Sequence, residues 1–267
     1  MVFKTSDENH GCAMRLYIML NQLLYIKHAV SVFLLMLIPF IATNAYAYSF
    51  VPTEAEYGRW PYYCKSMYAK TQIGKRNGFW KRIPKADADK WFLIGNKNGG
   101  AWHYCGGLVW LERAQAAVKD WKKEEGYQAA LGAARFSLDR NEPTSPWSSM
   151  YLILMGRAYR GLKDYPSAIK VLQAAMSNHP NQSNSYIILS LVYQDMKKYK
   201  LAKKSLLRGL KHAKGKKSEI IYILGHVSLE LGEINKAKDY AKQAVALGYP
   251  LKGLSKKIEK YENKQFK

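Results

Sequence analysis

A period of 34 residues runs through the second half of this 267-residue chain and restricts its fold more than any other feature. Residues 149–182 align with residues 183–216 at a constant step of 34, and a third copy over 218–250 follows at a step of 35. The aligned pairs in the first two copies are Leu152 with Tyr186, Met155 with Leu189, Tyr159 with Tyr193, Ala168 with Ala202, and Leu172 with Leu206. Sustained similarity at this period is typical of proteins built from stacked repeats.

Each copy predicts two helices joined by a short turn. In the first copy, Leu152, Met155 and Tyr159 fall on one face of a helix, because they are spaced by i, i+3 and i+7. Ala168 and Leu172 lie on a second helix after the turn GLKDYPS. A single hairpin of this kind exposes an apolar side that only a neighbouring hairpin buries, so the units are expected to stack.

The three copies resemble the tetratricopeptide repeat family. The first copy is the most similar, including Pro180 after its second helix, whereas the second has Gly209 where alanine is usual and the third has Ser228 where tyrosine is usual. The resemblance covers residues 149–250 and implies an all-α fold, a right-handed α-solenoid of stacked helix-turn-helix repeats. It also implies that the chain binds a protein or peptide ligand and is not an enzyme. A plain helical bundle with coincidental spacing is the alternative.

The segments on either side of the repeats predict further helices. Residues 101–140 predict a diverged repeat, with helices over 102–118 and 127–138 and the sequence WKKEEG between them. The solenoid is therefore expected over residues 101–250. Residues 251–267 predict a terminal capping helix of the kind that closes a solenoid. Its apolar face is formed by Leu251, Leu254, Ile258 and Tyr261.

The first 47 residues have the pattern of a secretory signal peptide. An uncharged apolar run, AVSVFLLMLIPFI, occupies residues 29–41; Lys27 precedes it, and the small residues Ala45 and Ala47 follow it. A basic flank, a short apolar core and a small-x-small ending predict cleavage after Ala47. The mature chain is then exported, and we expect it in a bacterial periplasm. An uncleaved membrane anchor is the alternative, although the run is shorter than the about 20 residues that span a bilayer.

Residues 48–100 lack long helical periods and are rich in aromatic residues. Six of the seven tryptophans of the chain lie between residues 60 and 121. They predict a compact aromatic core in a small N-terminal subdomain, because aromatic side chains bury the largest area per residue. The alternative is a binding surface on which tryptophan faces stack on sugar rings or hold a cation.

Cys64 and Cys105 are the two cysteines that follow the leader. An even number of cysteines in an exported chain favours a disulfide. Closing a loop of about 40 residues would stabilise the fold by roughly 3–4 kcal/mol in the chain-entropy description. Free thiols, or a metal or redox site with His103, are the alternatives. No metal site is expected, because three candidate ligands without a Cys-x-x-Cys spacing are too few for the usual zinc sites.

The sequence offers no candidate catalytic residues. It contains neither Gly-x-Ser-x-Gly nor His-Glu-x-x-His, which mark a serine nucleophile and a zinc protease respectively. The glycine-rich GNKNGG at 95–100 lacks the Lys-Ser/Thr ending of a phosphate-binding loop. We therefore expect no enzymatic activity and no cofactor.

A partner is expected on the side of each first helix that faces away from its packing face, because in stacked repeats of this family that side lines the concave surface. Successive residues on a helix are about 100° apart, so the sequence identifies this side. The predicted groove residues are Met150, Ile153, Arg157 and Arg160 in the first copy, Asn184, Ile187, Leu191 and Gln194 in the second, and Tyr222 and His226 in the third. These side chains suit a peptide with acidic or polar groups. A solvated face with ordinary surface apolar residues is the alternative.

The chain is strongly basic, with 42 Lys and Arg against 20 Asp and Glu, a formal net charge of +22. The excess is concentrated in residues 196–217, which contain no acidic residue. The predicted basic tract consists of Lys197, Lys198, Lys200, Lys203, Lys204, Arg208 and Lys211. It predicts attachment to an anionic envelope surface of lipid or polysaccharide, and a solvated charged face is the alternative. No nucleic acid is expected as a partner, because exported chains rarely meet it.

Two hypotheses about function follow. The first is an exported scaffold that docks proteins during assembly of a cell-envelope or secretion structure. The second is an envelope-associated binder of anionic glycan or lipid surfaces. A thiol or metal protein around Cys64 and Cys105 is a weaker third hypothesis. The sequence indicates no oligomeric state.

Overall fold

The structure is a computed structural model that describes residues 51–250 and 253–265. The predicted signal peptide and Leu251 of the capping helix lie outside the described residues. The described residues form thirteen α-helices and one 3-10 helix and contain no β-strand. The chain is an all-α solenoid of helical repeats, as the repeat pattern predicts. None of the described helices is both long and apolar enough to cross a bilayer.

Short helices make up residues 54–97. They are α1 (Glu54–Arg59), α2 (Tyr62–Ala69), α3 (Gln72–Arg76), a 3-10 helix (Phe79–Arg82) and α4 (Lys85–Lys97). Thr53 caps α1 through a reciprocal capping box with Glu56. Pro61 precedes α2 and Pro84 precedes α4, where the missing backbone N–H of proline leaves no helical hydrogen bond unmade.

Four helix pairs follow, and each pair packs against the next. They are α5 (Trp102–Ala116) with α6 (Asp120–Leu138), α7 (Pro146–Gly161) with α8 (Tyr165–Asn178), α9 (Ser183–Asp195) with α10 (Tyr199–His212), and α11 (Lys217–Glu230) with α12 (Ile234–Ala246). Helix α13 (Gly253–Gln265) packs against α11 and α12. Its Leu254 and Ile258 are buried there, with Tyr261 beside them.

The turn inside each repeat has the same backbone geometry. Lys163, Lys197 and Gly232 all adopt positive φ, at 61°, 57° and 74° respectively. The residue after each of them donates its backbone N–H to a carbonyl five residues earlier in the preceding helix, at 2.8–2.9 Å. This geometry is one of the ways in which a left-handed residue closes the C-terminus of a helix. The steps of 34 and 35 between these residues equal the steps of the sequence repeat.

One predicted element boundary in the diverged repeat is wrong. The sequence WKKEEG, expected to be a joint before residue 127, belongs to α6, which begins at Asp120. Lysine and glutamate are good helix formers, and Lys123 pairs with Asp120 at 2.8 Å in the first turn. These polar residues face solvent, and Trp121 among them is 59% exposed. Their apolar periodicity was therefore too weak to indicate a helix.

Buried side chains form four main clusters that follow one another along the chain. The first is the largest and joins the N-terminal helices to α5, α6 and α7. It contains aromatic side chains from the segment 51–100, among them those of Tyr57, Trp60 and Phe79. The second, third and fourth clusters lie between successive repeats, and the fourth is the smallest of these. The aromatic N-terminal segment therefore shares its core with the first repeats.

Candidate partner-binding groove

The first helices of the four pairs line a cavity of about 290 Å³. Side chains from α5, α7, α9 and α11 converge there, together with Lys216, the residue before α11. The apolar lining consists of Leu108, Ile153, Leu154, Ile187, Ile188, Leu191 and Ile223. The polar lining consists of Tyr104, Arg157, Asn184, Lys216 and Glu219. We call this cavity the groove.

Arg157 is the unusual charge of the groove. Among the described residues, no carboxylate lies within 4.0 Å of its side-chain nitrogens. Burial lowers the pKa of the Arg157 guanidinium and the charge of Arg160 acts in the same direction, while Tyr104 and Glu112 act in the opposite one. Arginine remains protonated in proteins. A partly desolvated charge without a counter-ion is best compensated by an anionic group of a ligand.

The charged rim of the groove at α11 is already paired. Lys216 contacts Glu219 at 3.1 Å, one turn further along the chain. Both side chains remain partly exposed, so this pair adds little to stability. Another polar side chain of the groove, that of Asn184, lies at the start of α9 and is half-buried. Its amide offers both donors and an acceptor to a peptide backbone.

The structure brings together half of the predicted groove residues. Ile153, Arg157, Asn184, Ile187 and Leu191 line the groove. Ile153 and Ile187 are 8% and 3% exposed, so they form its apolar floor and are not surface residues.

The other predicted groove residues do not line this cavity. Met150 packs against the first buried cluster, and Gln194 donates to the Ser190 carbonyl at 3.4 Å. Arg160 pairs with Asp195 of the next repeat at 2.6 and 3.1 Å.

Tyr222 and His226 turn toward the C-terminal end of the solenoid. The ring centroids of Tyr222 and His226 are 4.7 Å apart, and those of Tyr222 and Tyr249 are 4.4 Å apart. Burial, with a smaller contribution from Lys257, lowers the pKa of His226 to about 4. His226 is therefore neutral at physiological pH, and its ring packs against that of Tyr222.

Sequence reasoning missed several lining residues for identifiable reasons. Tyr104 and Leu108 lie in the diverged repeat, which has no clear alignment with the other copies. Lys216 and Ile223 replace the predicted Tyr222 and His226 because only the N-terminal half of α11 reaches the groove. The spacing of Glu219 and Ile223 by four residues identifies this face once the helix is placed.

The basic tract lies on α10 and the turn before it. Six of its members are exposed: Lys197, Lys198, Lys200, Lys204, Arg208 and Lys211. Lys203 differs, because it is 17% exposed and pairs with Glu233 of the next repeat. Leu201 and Leu207 are 42% and 44% exposed on the same helix. The outer surface of α10 is thus basic with two apolar residues.

Cys64 and Cys105 lie at disulfide distance, with their Cα atoms 5.6 Å apart. They connect α2 to α5 within the first buried cluster. Within the part of the chain that the structure describes, no group of three or more His, Cys, Asp or Glu side chains is arranged to hold a metal ion.

The tetratricopeptide repeat family model matches residues 183–212 and 218–247. Residues 183–247 therefore contain two tetratricopeptide repeats. The matched residues belong to the second and third copies of the period, each of which is a helix pair in the structure. The first copy lies outside the match, although its sequence has the most features of the family pattern. Such repeats indicate a scaffold for protein–protein interaction. The search of curated protein sequences found no match to this chain.

Among the solved structures that match this chain are three with low sequence identity. A thermophilic tetratricopeptide-repeat protein of Thermus thermophilus is 15% identical over 60% of this chain and 90% of its own, with a TM-score of 0.43. One structure of MamA is 20% identical over 59% of this chain and 88% of its own, with a TM-score of 0.39. A second MamA structure is 17% identical over 68% of this chain and 98% of its own, with a TM-score of 0.40.

Proposed function

We propose that this protein is an exported scaffold whose groove binds a peptide segment of a partner protein, with an acidic group of that segment paired to Arg157. The partner belongs to a cell-envelope or secretion structure under assembly. The observation that carries the proposal is the partly desolvated Arg157, which has no carboxylate within 4.0 Å among the described residues, in a cavity that seven apolar and five polar side chains line. The signal peptide that the sequence predicts at residues 1–47 supports the location.

The composition of the groove supports a peptide ligand. Ile153, Ile187 and Leu191 provide an apolar floor for side chains. Asn184 provides amide donors and an acceptor for a peptide backbone, and Arg157 provides a charge-assisted hydrogen bond. Specific binding sites combine apolar side chains with polar groups that fix the orientation of the ligand, and the groove offers both.

The test uses two arginine variants with the same change of charge. Arg157→Gln removes the unpaired charge of the groove, whereas Arg160→Gln removes a charge that pairs with Asp195 outside the groove. A hydrogen bond to a charged group contributes about 1.5–3 kcal/mol, so Arg157→Gln is expected to weaken partner binding by roughly 10- to 150-fold. Arg160→Gln is expected to bind as the wild type does.

Partners are recovered from envelope extract on immobilised wild-type or variant protein and quantified by mass spectrometry. A recovered partner is then titrated as a purified protein, with circular dichroism confirming that both variants are folded. Equal affinity of wild type and Arg157→Gln would remove Arg157 from the proposal, and an equal loss in both variants would point to overall charge instead of the groove.

Export is tested separately. Cell fractionation is expected to place the protein in the periplasm, and its mature N-terminus is expected at Tyr48, directly after Ala47. An intact leader in the membrane fraction would support the anchor instead. This experiment does not depend on the identity of the partner.

A second candidate function is attachment to an anionic envelope surface through the basic tract. The observation that favours it is the exposed face of α10, where unpaired basic residues surround Leu201 and Leu207. Basic residues near an anionic surface contribute about 1 kcal/mol each, and salt screens this attraction.

Sedimentation with vesicles containing about 30% phosphatidylglycerol tests this second function at low and high salt, because the attraction depends on anionic lipid. Substitution of Lys200, Lys204 and Arg208 by Gln is expected to weaken the salt-sensitive binding. A control variant with the same loss of charge changes Lys236, Lys242 and Lys256, which are exposed outside the tract. Equal weakening by both triple variants would show that net charge, and not the tract, drives the attachment.

A further inference from the structure

A second and larger cavity, of about 620 Å³, lies at the N-terminal helices and shares no lining residue with the groove. It is enclosed by the end of α2, by α3, by the 3-10 helix and by the start of α4. We call it the lysine-rimmed pocket. Its size is in the range of small-molecule binding sites, about 300–1,000 Å³.

The floor of the lysine-rimmed pocket is apolar and built from small side chains. Ala69, Ile83 and Ala88 are 2%, 9% and 5% exposed and form a buried cluster separate from the main core. Two of the three are alanines, which leave space between α2 and α4 that no larger side chain fills. An apolar cavity of this kind gains from an apolar occupant, because burial removes the surface of both from water.

Trp80 forms a wall of the pocket and is held in place by its neighbours. It is 49% exposed, whereas Phe79 beside it is buried and stacks on Tyr57 with ring centroids 4.3 Å apart. Arg82, at the other end of the same 3-10 helix, forms a two-pronged ion pair with Glu54 at 2.6 and 3.0 Å. The short helix is therefore fixed at both ends, and the Trp80 indole extends the apolar surface outward.

The rim of the pocket is positively charged. Four lysines surround it, and Lys70 is paired with Asp89. The other three, Lys75, Lys81 and Lys85, are exposed and have no ion-pair partner among the described residues. Asp89 acts on Lys85 as well as on Lys70, so the positive charge of the rim is least compensated at Lys75 and Lys81. A positive rim around an apolar opening attracts an anion whose remaining part is apolar.

We propose that the lysine-rimmed pocket binds a fatty-acid-like anionic amphiphile, with its acyl chain on Ala69, Ile83, Ala88 and Trp80 and its carboxylate among the free lysines. This site is separate from the groove, and the proposal does not depend on the function assigned there.

The chemistry of the lining favours an acyl chain over a peptide or a sugar. The lining consists only of alanine, isoleucine, tryptophan and lysine. Buried amides of a peptide, or hydroxyls of a sugar, need both donors and acceptors, and a polar group buried without a partner is costly. Lysine supplies donors alone and no acceptor. An acyl chain brings no polar group into the pocket, and its carboxylate needs only donors.

Isothermal titration of the full chain with octanoate, decanoate and dodecanoate, each below its critical micelle concentration, tests the proposal. Each additional buried methylene is worth about 0.8 kcal/mol, so the affinity is expected to rise up to about fourfold per methylene. Dodecyltrimethylammonium, with the same tail and the opposite charge, is expected to bind at least about tenfold more weakly than dodecanoate, because it is repelled by the rim. Acetate, which has the head without the tail, is expected not to bind.

Variants locate the binding site. The triple change Lys75→Gln, Lys81→Gln and Lys85→Gln is expected to weaken dodecanoate binding about tenfold at low salt, because exposed ion pairs contribute up to about 1 kcal/mol each. Trp80→Ala is expected to weaken it about fivefold through lost apolar contact.

The matched control removes three positive charges outside the pocket, by changing the exposed Lys90, Lys97 and Lys119 to Gln. It is expected to bind dodecanoate within about twofold of the wild type, because screening limits the reach of surface charges.

Three results would overturn the proposal. The first is equal binding of dodecanoate by the wild type and the pocket variants. The second is equal binding of the cationic amphiphile, which would indicate general detergent adsorption. The third is tighter binding of an acidic peptide such as Ac-DWEDLE-NH2 than of dodecanoate, because the pocket would then be a peptide site. Circular dichroism of every variant separates loss of binding from loss of fold.

Discussion

Replacing Gly156 with alanine tests the close approach of helices inside a repeat. A Cβ atom at this position would lie 2.6 Å from Cγ of Leu172 and 2.7 Å from its Cδ2. Leu172 is fully buried and cannot rotate into solvent. Gly132, in the middle of α6, is the matched control, because a Cβ atom there meets nothing within 4 Å.

Two opposing effects determine how much each substitution changes the free energy of unfolding. Alanine in place of a helical glycine stabilises by about 1 kcal/mol, because glycine has more freedom to lose on folding. Overpacking of a filled core costs typically about 1–3 kcal/mol. Gly132→Ala is therefore expected to raise the free energy of unfolding by about 1 kcal/mol, whereas Gly156→Ala is expected to lower it by about 0–2 kcal/mol.

A double-mutant cycle isolates the contact. Leu172→Ala alone removes buried methyl groups and is expected to cost about 2–5 kcal/mol. It also makes room for a Cβ atom at position 156. The double variant is therefore expected to be more stable than the sum of the two single changes predicts, by about 1–3 kcal/mol.

Urea denaturation followed by circular dichroism measures all four proteins, with the midpoint compared at constant slope. Similar stabilisation by Gly156→Ala and Gly132→Ala would refute the close approach, and so would a cycle with no coupling between Gly156 and Leu172.

Two further predictions concern the termini of the solenoid. Peptide mapping without reductant is expected to recover Cys64 and Cys105 in one cross-linked peptide. Reduction is expected to lower the free energy of unfolding by about 3–4 kcal/mol, because the unfolded chain regains the conformational freedom of a 41-residue loop. Two free thiols in the native protein would contradict this prediction. His226 has a pKa of about 4 in the folded protein against about 6.5 when unfolded. Protonation therefore favours the unfolded chain as pH falls from about 6.5 to about 4, and stability is expected to fall by about 1–2 kcal/mol over that range after allowance for partial exposure. The fall is expected to be smaller in His226→Gln, and an unchanged pH profile in that variant would exclude His226 as its source.

The sequence predicted the repeated hairpins well because their geometry is local. Leu152, Met155 and Tyr159 follow helical spacing, and the period places the left-handed residues Lys163 and Lys197 at equivalent turns. These features depend on residues fewer than about ten positions apart, for which spacing on a helix is sufficient.

The groove could be predicted only in part, because it depends on the rotation of each helix relative to the next. Arg157 and Leu191 were found from their helical face, but the same rule placed Tyr222 and His226 in the groove, where the structure has Lys216 and Ile223. That rotation results from packing between repeats, so it cannot be predicted from the sequence of one repeat alone.

The lysine-rimmed pocket was outside the reach of sequence pattern. Its walls come from four short elements between residues 69 and 88, and none has a long apolar period. The cluster of tryptophans predicted an aromatic core, and Trp60 lies in such a core. No pattern in the sequence distinguishes it from Trp80, which remains half exposed at the pocket.

The uneven size of the buried clusters has a consequence for how the molecule opens. The first cluster combines the N-terminal helices with α5, α6 and α7, whereas the last holds only a few buried residues, including Leu254 and Ile258. In a stack where each unit contacts only its neighbours, local opening begins where least is buried. Amide hydrogens of α12 and α13 are therefore expected to exchange with deuterium sooner than those of α5. A ligand in the groove contacts both α5 and α11. Its binding is therefore expected to slow the deuterium exchange of amide hydrogens in α11, which lies nearer the end of the solenoid that opens more easily.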